Sequence, residues 1–400
     1  MDPREVEMDK PDLLDPEIYA TGPFEMYRWL RDEAPCYWDP NNGIWGLSRY
    51  RDVMDAERNT KRYSSAHGSR PLIEMSESMI NRDDPRHLHQ RKLVSARFTP
   101  AAVRRHEDHV RAIVTRLIDA IAPKGEAEVV ESLAAPLPAM VICELLGFDP
   151  EQWSMCKHVS EVTMGAAGYR DDDPRRPEGS VDAVMDFAVA FSQLMEARRS
   201  APGDDLCSAW VTAELEGEPL PDSEIVQDGL LLLDGGAETT RSTIGQVVLA
   251  LCEHEDQRRR LLDDPALLQS TAVEEFIRWA SPILNMRRTV TEDHELHGQT
   301  VHAGDQVLLM YGAANRDERY FRDPDTFDVG RTDNRHLAFG FATHFCLGAN
   351  LARLEIRVLF EELLRRLPDF RLVPGTEPDF VPGYFTRTLR DLHIEFTPER

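Results

Sequence analysis

The sequence predicts a mainly α-helical protein with small β-sheets at its edges. Two observations carry that expectation. Most long segments repeat their apolar residues every three to four positions, and the runs that read as strands are few and short. The stretch 100–122 places Val103, Val110, Ile113, Val114, Leu117 and Ile121 on one stripe, as a helix half-buried on a core does. The same period predicts helices over 180–200, 223–254, 267–280 and 346–367. Strands are expected at "GIWGLS" (43–48), in a hairpin over 287–301, at "QVLLMYG" (306–312) and at "LHIEFT" (392–397). The polar, proline-bearing segment 168–180 reads as a surface loop between two helices.

Bulk composition narrows the function. Four hundred residues can bury a large core, and no shift in composition divides the chain. A net charge of −25, from 46 basic and 71 acidic residues, speaks against a nucleic-acid partner. The six cysteines are scattered without a CxxC pair and read as free thiols of a reducing compartment. No stretch approaches the ~20 apolar residues of a membrane span, and the charged N-terminus does not resemble a secretory signal. A cytoplasmic protein is expected.

Three local patterns stand out. In "LLLLDGGAETTRS" the glycines Gly235 and Gly236 sit inside a helix, where each costs about 1 kcal/mol relative to alanine. They could admit a flat object close to the backbone, with Glu238, Thr239 and Thr240 beside it. A plain helix-packing site is the alternative. In "EEFIR", Glu275 and Arg278 share a helix face and can pair, as many surface residues do. In "HLAFGFATHFCLGANLARLEI", Cys346 stands at the mouth of a helix, where the dipole and unpaired N–H groups stabilise a thiolate.

Taken together and in this order, these patterns resemble the cytochrome P450 family, and the resemblance runs over nearly the whole chain. Segments 83–100 and 315–331 also resemble P450 segments. The resemblance implies one heme domain over 1–400, triangular and helix-rich, with heme b between a distal and a proximal helix. Cys346 would be the iron ligand, since thiolate ligation pushes electron density toward bound oxygen and favours O–O cleavage. Phe339 would shield the ring, and Gly348 and Gly235 would let the backbone approach it. His87 and Arg91 would hold one propionate, Arg288 and His344 the other, with His89 and Arg287 as rivals one register away. Glu238 and Thr239 match the acid–alcohol pair that delivers protons during oxygen activation, with Thr240 as the fallback. Glu275 and Arg278 become a buried structural pair, joined by Arg331. The chain departs from the family pattern at Ala342, where a glycine is usual. Alanine is tolerable there if its φ is negative or if the turn accepts strain.

The same resemblance implies a monooxygenase acting on a small apolar substrate with O2. Nothing in the sequence marks a reductase domain, so electrons would come from a ferredoxin and its reductase. Lys92, Arg97, Arg104, Arg105 and Arg353 are the expected docking patch. Substrate contacts are expected from Leu72, Ile73, Met75, Met79, Met164, Leu231, Asp234, Ile283, Leu284, Met286, Tyr384 and Phe385. The segments around 285–298 and 336–353 look most like P450s that hydroxylate sterol side chains or methyl-branched lipids. A terpenoid or a macrocyclic natural product is the alternative. A heme-thiolate sensor or electron carrier and a peroxide-driven enzyme are further uses of the fold. The latter typically carries an arginine in place of the acid–alcohol pair, and Arg241 lies one to two positions late.

Overall fold

A computed structural model describes residues 10–72, 76–170, 172–215 and 217–399. Helices dominate. The longest, Asp222–Glu253, runs 32 residues through the interior. Asp222 and Glu224 in its first turn complement its dipole. It packs on Pro136–Leu146, Trp153–Ala166 and Ser180–Ser200 on one side and on Ala272–Ala280 and Ala349–Arg366 on others. Two glycines seven residues apart set the approaches of Ser180–Ser200 and Pro136–Leu146. A Cβ on Gly229 would lie 2.6 Å from the Phe191 ring, and one on Gly236 would lie 2.9 Å from Ile142. Overpacking such a contact typically costs about 1–3 kcal/mol.

The expected stripe of 100–122 is buried except for the half-buried Leu117, but it belongs to two helices, Pro100–Arg104 and Glu107–Ile121. The 267–280 segment likewise splits into Leu267–Ser270 and Ala272–Ala280, where the Thr271 hydroxyl donates to Val329 O at 2.7 Å. The hairpin expected over 287–301 is shorter. Only His294–Leu296 and Gln299–Val301 pair with each other. Met286–Val290 instead joins a five-stranded sheet in the order Cys36–Asp39, Ile44–Leu47, Gln306–Leu309, Met286–Val290, Tyr63–Ser64. The register Arg288↔Val307 turns the Arg288 side chain inward.

The predicted pair at Glu275 and Arg278 is fully buried. Arg278 donates to both carboxylate oxygens at 2.7 and 2.8 Å, and Arg331 Nε meets Glu275 at 3.1 Å. Arg278 also donates to Asn315 O and Pro324 O. The cluster therefore ties the Ala272–Ala280 helix to the irregular chain leading to Cys346. Among the described residues, no helix is long and apolar enough to cross a membrane.

Candidate active site around Cys346

A cavity lies between the long helix and the N-terminal end of Ala349–Arg366. Cys346 forms part of its wall. The loop before it turns tightly, with Gly340 at φ 66° and Ala342 at φ 55°, and the Cys346 N–H donates to Phe339 O at 2.8 Å. Ala342 thus sits in the left-handed region, and the turn carries strain that glycine would not. Burial pushes the Cys346 thiol up, while the N–H groups of Gly348 and Ala349 and the charges of Arg91 and Arg353 pull it down. A Cβ on Gly348 would meet nothing within 4 Å, nor would one on Gly235 across the cavity. Both glycines open onto the same space.

Cationic and donor groups gather at one end. His87, Arg91, Arg288 and His344 all line the cavity. The His87 and His344 rings lie 4.1 Å apart. Burial, followed by Arg288, His87 and Arg91, drives His344 down to about 2, so its imidazole is neutral beside these cations. Arg91 donates to Phe345 O at 2.6 Å. Arg288 is held from behind by Glu57 at 3.0 Å, a carboxylate that also accepts from Tyr311. The rivals fall elsewhere: His89 is exposed, and Arg287 is spent on the carbonyls of His67 and Gly68.

Successive residues on a helix point about 100° apart. The structure accordingly separates Glu238 from Thr239. Thr239 faces the cavity and donates to Gly235 O at 2.8 Å, with Thr240 and Thr243 also on the wall. Glu238 is buried behind the helix, 2.9 Å from Arg241. Burial raises its carboxyl and Arg241 draws it back down. Arg241 reaches Glu161, which meets Lys157 at 3.0 Å, and Lys157 meets the solvent-exposed Glu131 at 2.9 Å. A charged chain thus runs from Glu238 to the surface. The helix itself continues unbroken through the glycine pair, so the room comes from the missing Cβ of Gly235 and not from a distortion.

Of the expected substrate contacts, Met79, Met164, Leu231, Ile283, Met286 and Phe385 line the cavity. Leu284 and Tyr384 instead pack in a neighbouring core, and the Tyr384 hydroxyl donates to Tyr169 O. Leu72 lies at the surface, 39% exposed. Ile73 and Met75 fall outside the described residues. Asp234, expected to face the cavity, is buried 2.7 Å from the Thr163 hydroxyl and 3.5 Å from Arg70. Sequence reasoning missed Arg70, Glu57, Tyr311 and Glu355. Glu355 lines the cavity with one buried carboxylate oxygen lacking a partner, and burial raises its carboxyl to about 8. Nothing in the sequence distinguishes these residues from ordinary charged positions.

The family model of the cytochrome P450 matches residues 266–385. The steroid C26-monooxygenase of Mycolicibacterium smegmatis is 41% identical over 393 residues, covering 97% of this chain and 96% of that protein. The chain belongs to the cytochrome P450 family. A second relative of this P450 is the methyl-branched lipid omega-hydroxylase of Mycobacterium bovis. It is 41% identical, over 92% of the chain and 90% of that protein. Among solved structures, a Mycobacterium marinum cytochrome P450 in complex with pseudoionone superposes with a TM-score of 0.90 at 34% identity, over 97% of this chain and 99% of that one. The protein is therefore a P450 monooxygenase, and its cofactor is heme b. The residues present fit that group: a thiol at a helix mouth, two glycines whose missing side chains leave open space, and donors collected at one end of the cavity.

Proposed function

We propose that this P450 hydroxylates a branched, apolar chain, either a sterol side chain or a methyl-branched lipid. The observation that carries the reading is the continuity of one cavity from Cys346 and Thr239 to the apolar wall of Met79, Met164, Leu231, Ile283, Met286 and Phe385. Flexible methionines and aliphatic side chains suit a branched hydrocarbon. The names of the mycobacterial relatives point the same way.

In this reading, Cys346 would ligate the heme iron, and His87, Arg91, Arg288 and His344 would hold the propionates. When bound, heme supplies the thiolate-ligated iron at which O2 is activated. Phe339, on the cavity wall beside Cys346, would shield the group. Thr239 would hold a proton donor at the cavity face, and Glu238 would be the carboxylate of the pair, tied toward the surface by its ion pairs with Arg241, Glu161, Lys157 and Glu131. Glu275 and Arg278 serve structure alone. The whole chain acts as one heme domain, and a cytoplasmic location agrees with its six free cysteines. Arg241 points away from the cavity into its ion pairs, which favours dioxygen over peroxide as oxidant.

Electrons come from a ferredoxin and its reductase. Within the expected docking patch, Arg353 is bound to Glu274 at 2.6 and 2.9 Å and Arg97 meets Asp204. Lys92, Arg104 and Arg105 are exposed without an ion pair among the described residues, and they form the remaining basic surface. The test is a spectral titration of the heme-loaded protein with sterols and methyl-branched lipids, followed by product analysis with a ferredoxin system. A spin-state change and a hydroxylated chain terminus support the reading. Turnover restricted to compact polycyclic or macrocyclic compounds contradicts it.

A further inference from the structure

The wall of the cavity is apolar except at the heme-facing groups, Tyr311, the threonines, Glu355 and Arg70. The Arg70 guanidinium stands 5.5 Å from the centre of the Phe385 ring and 3.5 Å from Asp234, a long contact for a charge-assisted hydrogen bond. Among the described residues Arg70 has no other acidic partner. Asp234 is 2% exposed and anchored by the Thr163 hydroxyl at 2.7 Å. A guanidinium carries five donors. Fixed in this way between an aromatic face and a buried carboxylate, Arg70 keeps donors for a group inside the cavity.

The charge balance decides which group. Asp234 already compensates Arg70, so the pair is neutral. A carboxylate bound there would leave a net buried negative charge, which is costly in a low-dielectric site. A hydroxyl or carbonyl oxygen accepts a hydrogen bond and adds no charge. We infer that Arg70, braced by Asp234, selects substrates bearing a neutral oxygen on the oxidised branched chain. This rests on the branched-chain reading above and narrows it to oxygenated chains, alcohols and ketones, over fatty acids.

The experiment compares three small probes by spectral titration of the heme-loaded protein: tetrahydrolinalool, a branched tertiary alcohol; dimethyloctane, its deoxygenated counterpart; and dimethyloctanoic acid. The alcohol is expected to bind about tenfold more tightly than the hydrocarbon, the size of one hydrogen bond to a charged donor. Arg70→Met should erase that difference. Asp234→Asn should uncover the Arg70 charge and raise the affinity for the acid above that for the alcohol. Equal binding of alcohol and hydrocarbon by the wild type overturns the proposal. A preference that survives Arg70→Met, or tighter binding of the acid by the wild type, does the same. Binding of the hydrocarbon by the wild type keeps the branched-chain reading standing whichever way the oxygen result falls. Failure of all three probes in protein that responds to sterols overturns the assignment of Arg70 alone.

Discussion

Ala342 carries a left-handed backbone at φ 55° in the loop that presents Cys346. An L-residue there costs about 1–2 kcal/mol that glycine does not. Ala342→Gly is therefore expected to stabilise the heme-loaded protein by about 1 kcal/mol in chemical denaturation, and an unchanged midpoint would show that the strain is relieved elsewhere. Thr239 is the cavity hydroxyl nearest the open face of Gly235. Thr239→Val should leave substrate binding within about twofold but lower product formed per electron consumed by about tenfold or more. Retained coupling in that variant would shift the role to Thr240. At this scale the sequence was most legible where a residue type has one chemical use. Cys346 could be singled out because only it opens a helix among glycines. The direction of Glu238 was not legible, because adjacency in sequence hides the turn of about 100° between neighbours. Leu72, Leu284 and Tyr384 lie outside regular elements, where no periodicity assigns a face.

Among the elements, the helix Ala272–Ala280 is held by charge on both sides. Its buried pair predicts that Glu275→Ala, which strands Arg278 and Arg331, costs about 3–5 kcal/mol, read from denaturation midpoints or from loss of soluble protein. Glu274, on its other face, is pushed up by burial, but hydrogen bonds from His336 and Arg353 outweigh this and hold it at about 2. Its folded value lies below its unfolded one. Glu274 thus adds stability that is full above about pH 4.5 and is lost as the pH falls from there toward about 2. The melting-temperature gap between wild type and Glu274→Gln should therefore narrow as the pH falls through that window, and a gap constant with pH would mean that the ion pair contributes nothing. Helix existence was legible from period, but the breaks near Arg105 and Thr271 were not, since the apolar phase runs on across them. The pairing of Met286–Val290 with Gln306–Leu309 was hidden because a strand's partner is set by tertiary register, which a local alternation does not encode.

At the scale of the molecule, the proposed docking of a ferredoxin on a strongly acidic chain rests on a small basic surface. The exposed Lys92, Arg104 and Arg105 predict that reduction by an acidic ferredoxin slows as salt rises, and that charge reversal at Arg104 and Arg105 weakens both the rate and its salt dependence. A rate insensitive to salt would place the docking elsewhere. The helical class and the order of the motifs were legible because helix period and chemical motifs are local. The polar corner at Arg70 and Asp234 was not, because two segments distant in sequence build it. The central claim is that Cys346 delivers a thiolate to heme iron in this cavity. The most direct test is the reduced, carbon-monoxide-bound difference spectrum of the wild type and of Cys346→Ala. A strongly red-shifted Soret band in the wild type, near the wavelength that gives the family its name, and its loss in the variant are predicted. A well-loaded wild type without that band, or a variant that keeps it, would contradict the account.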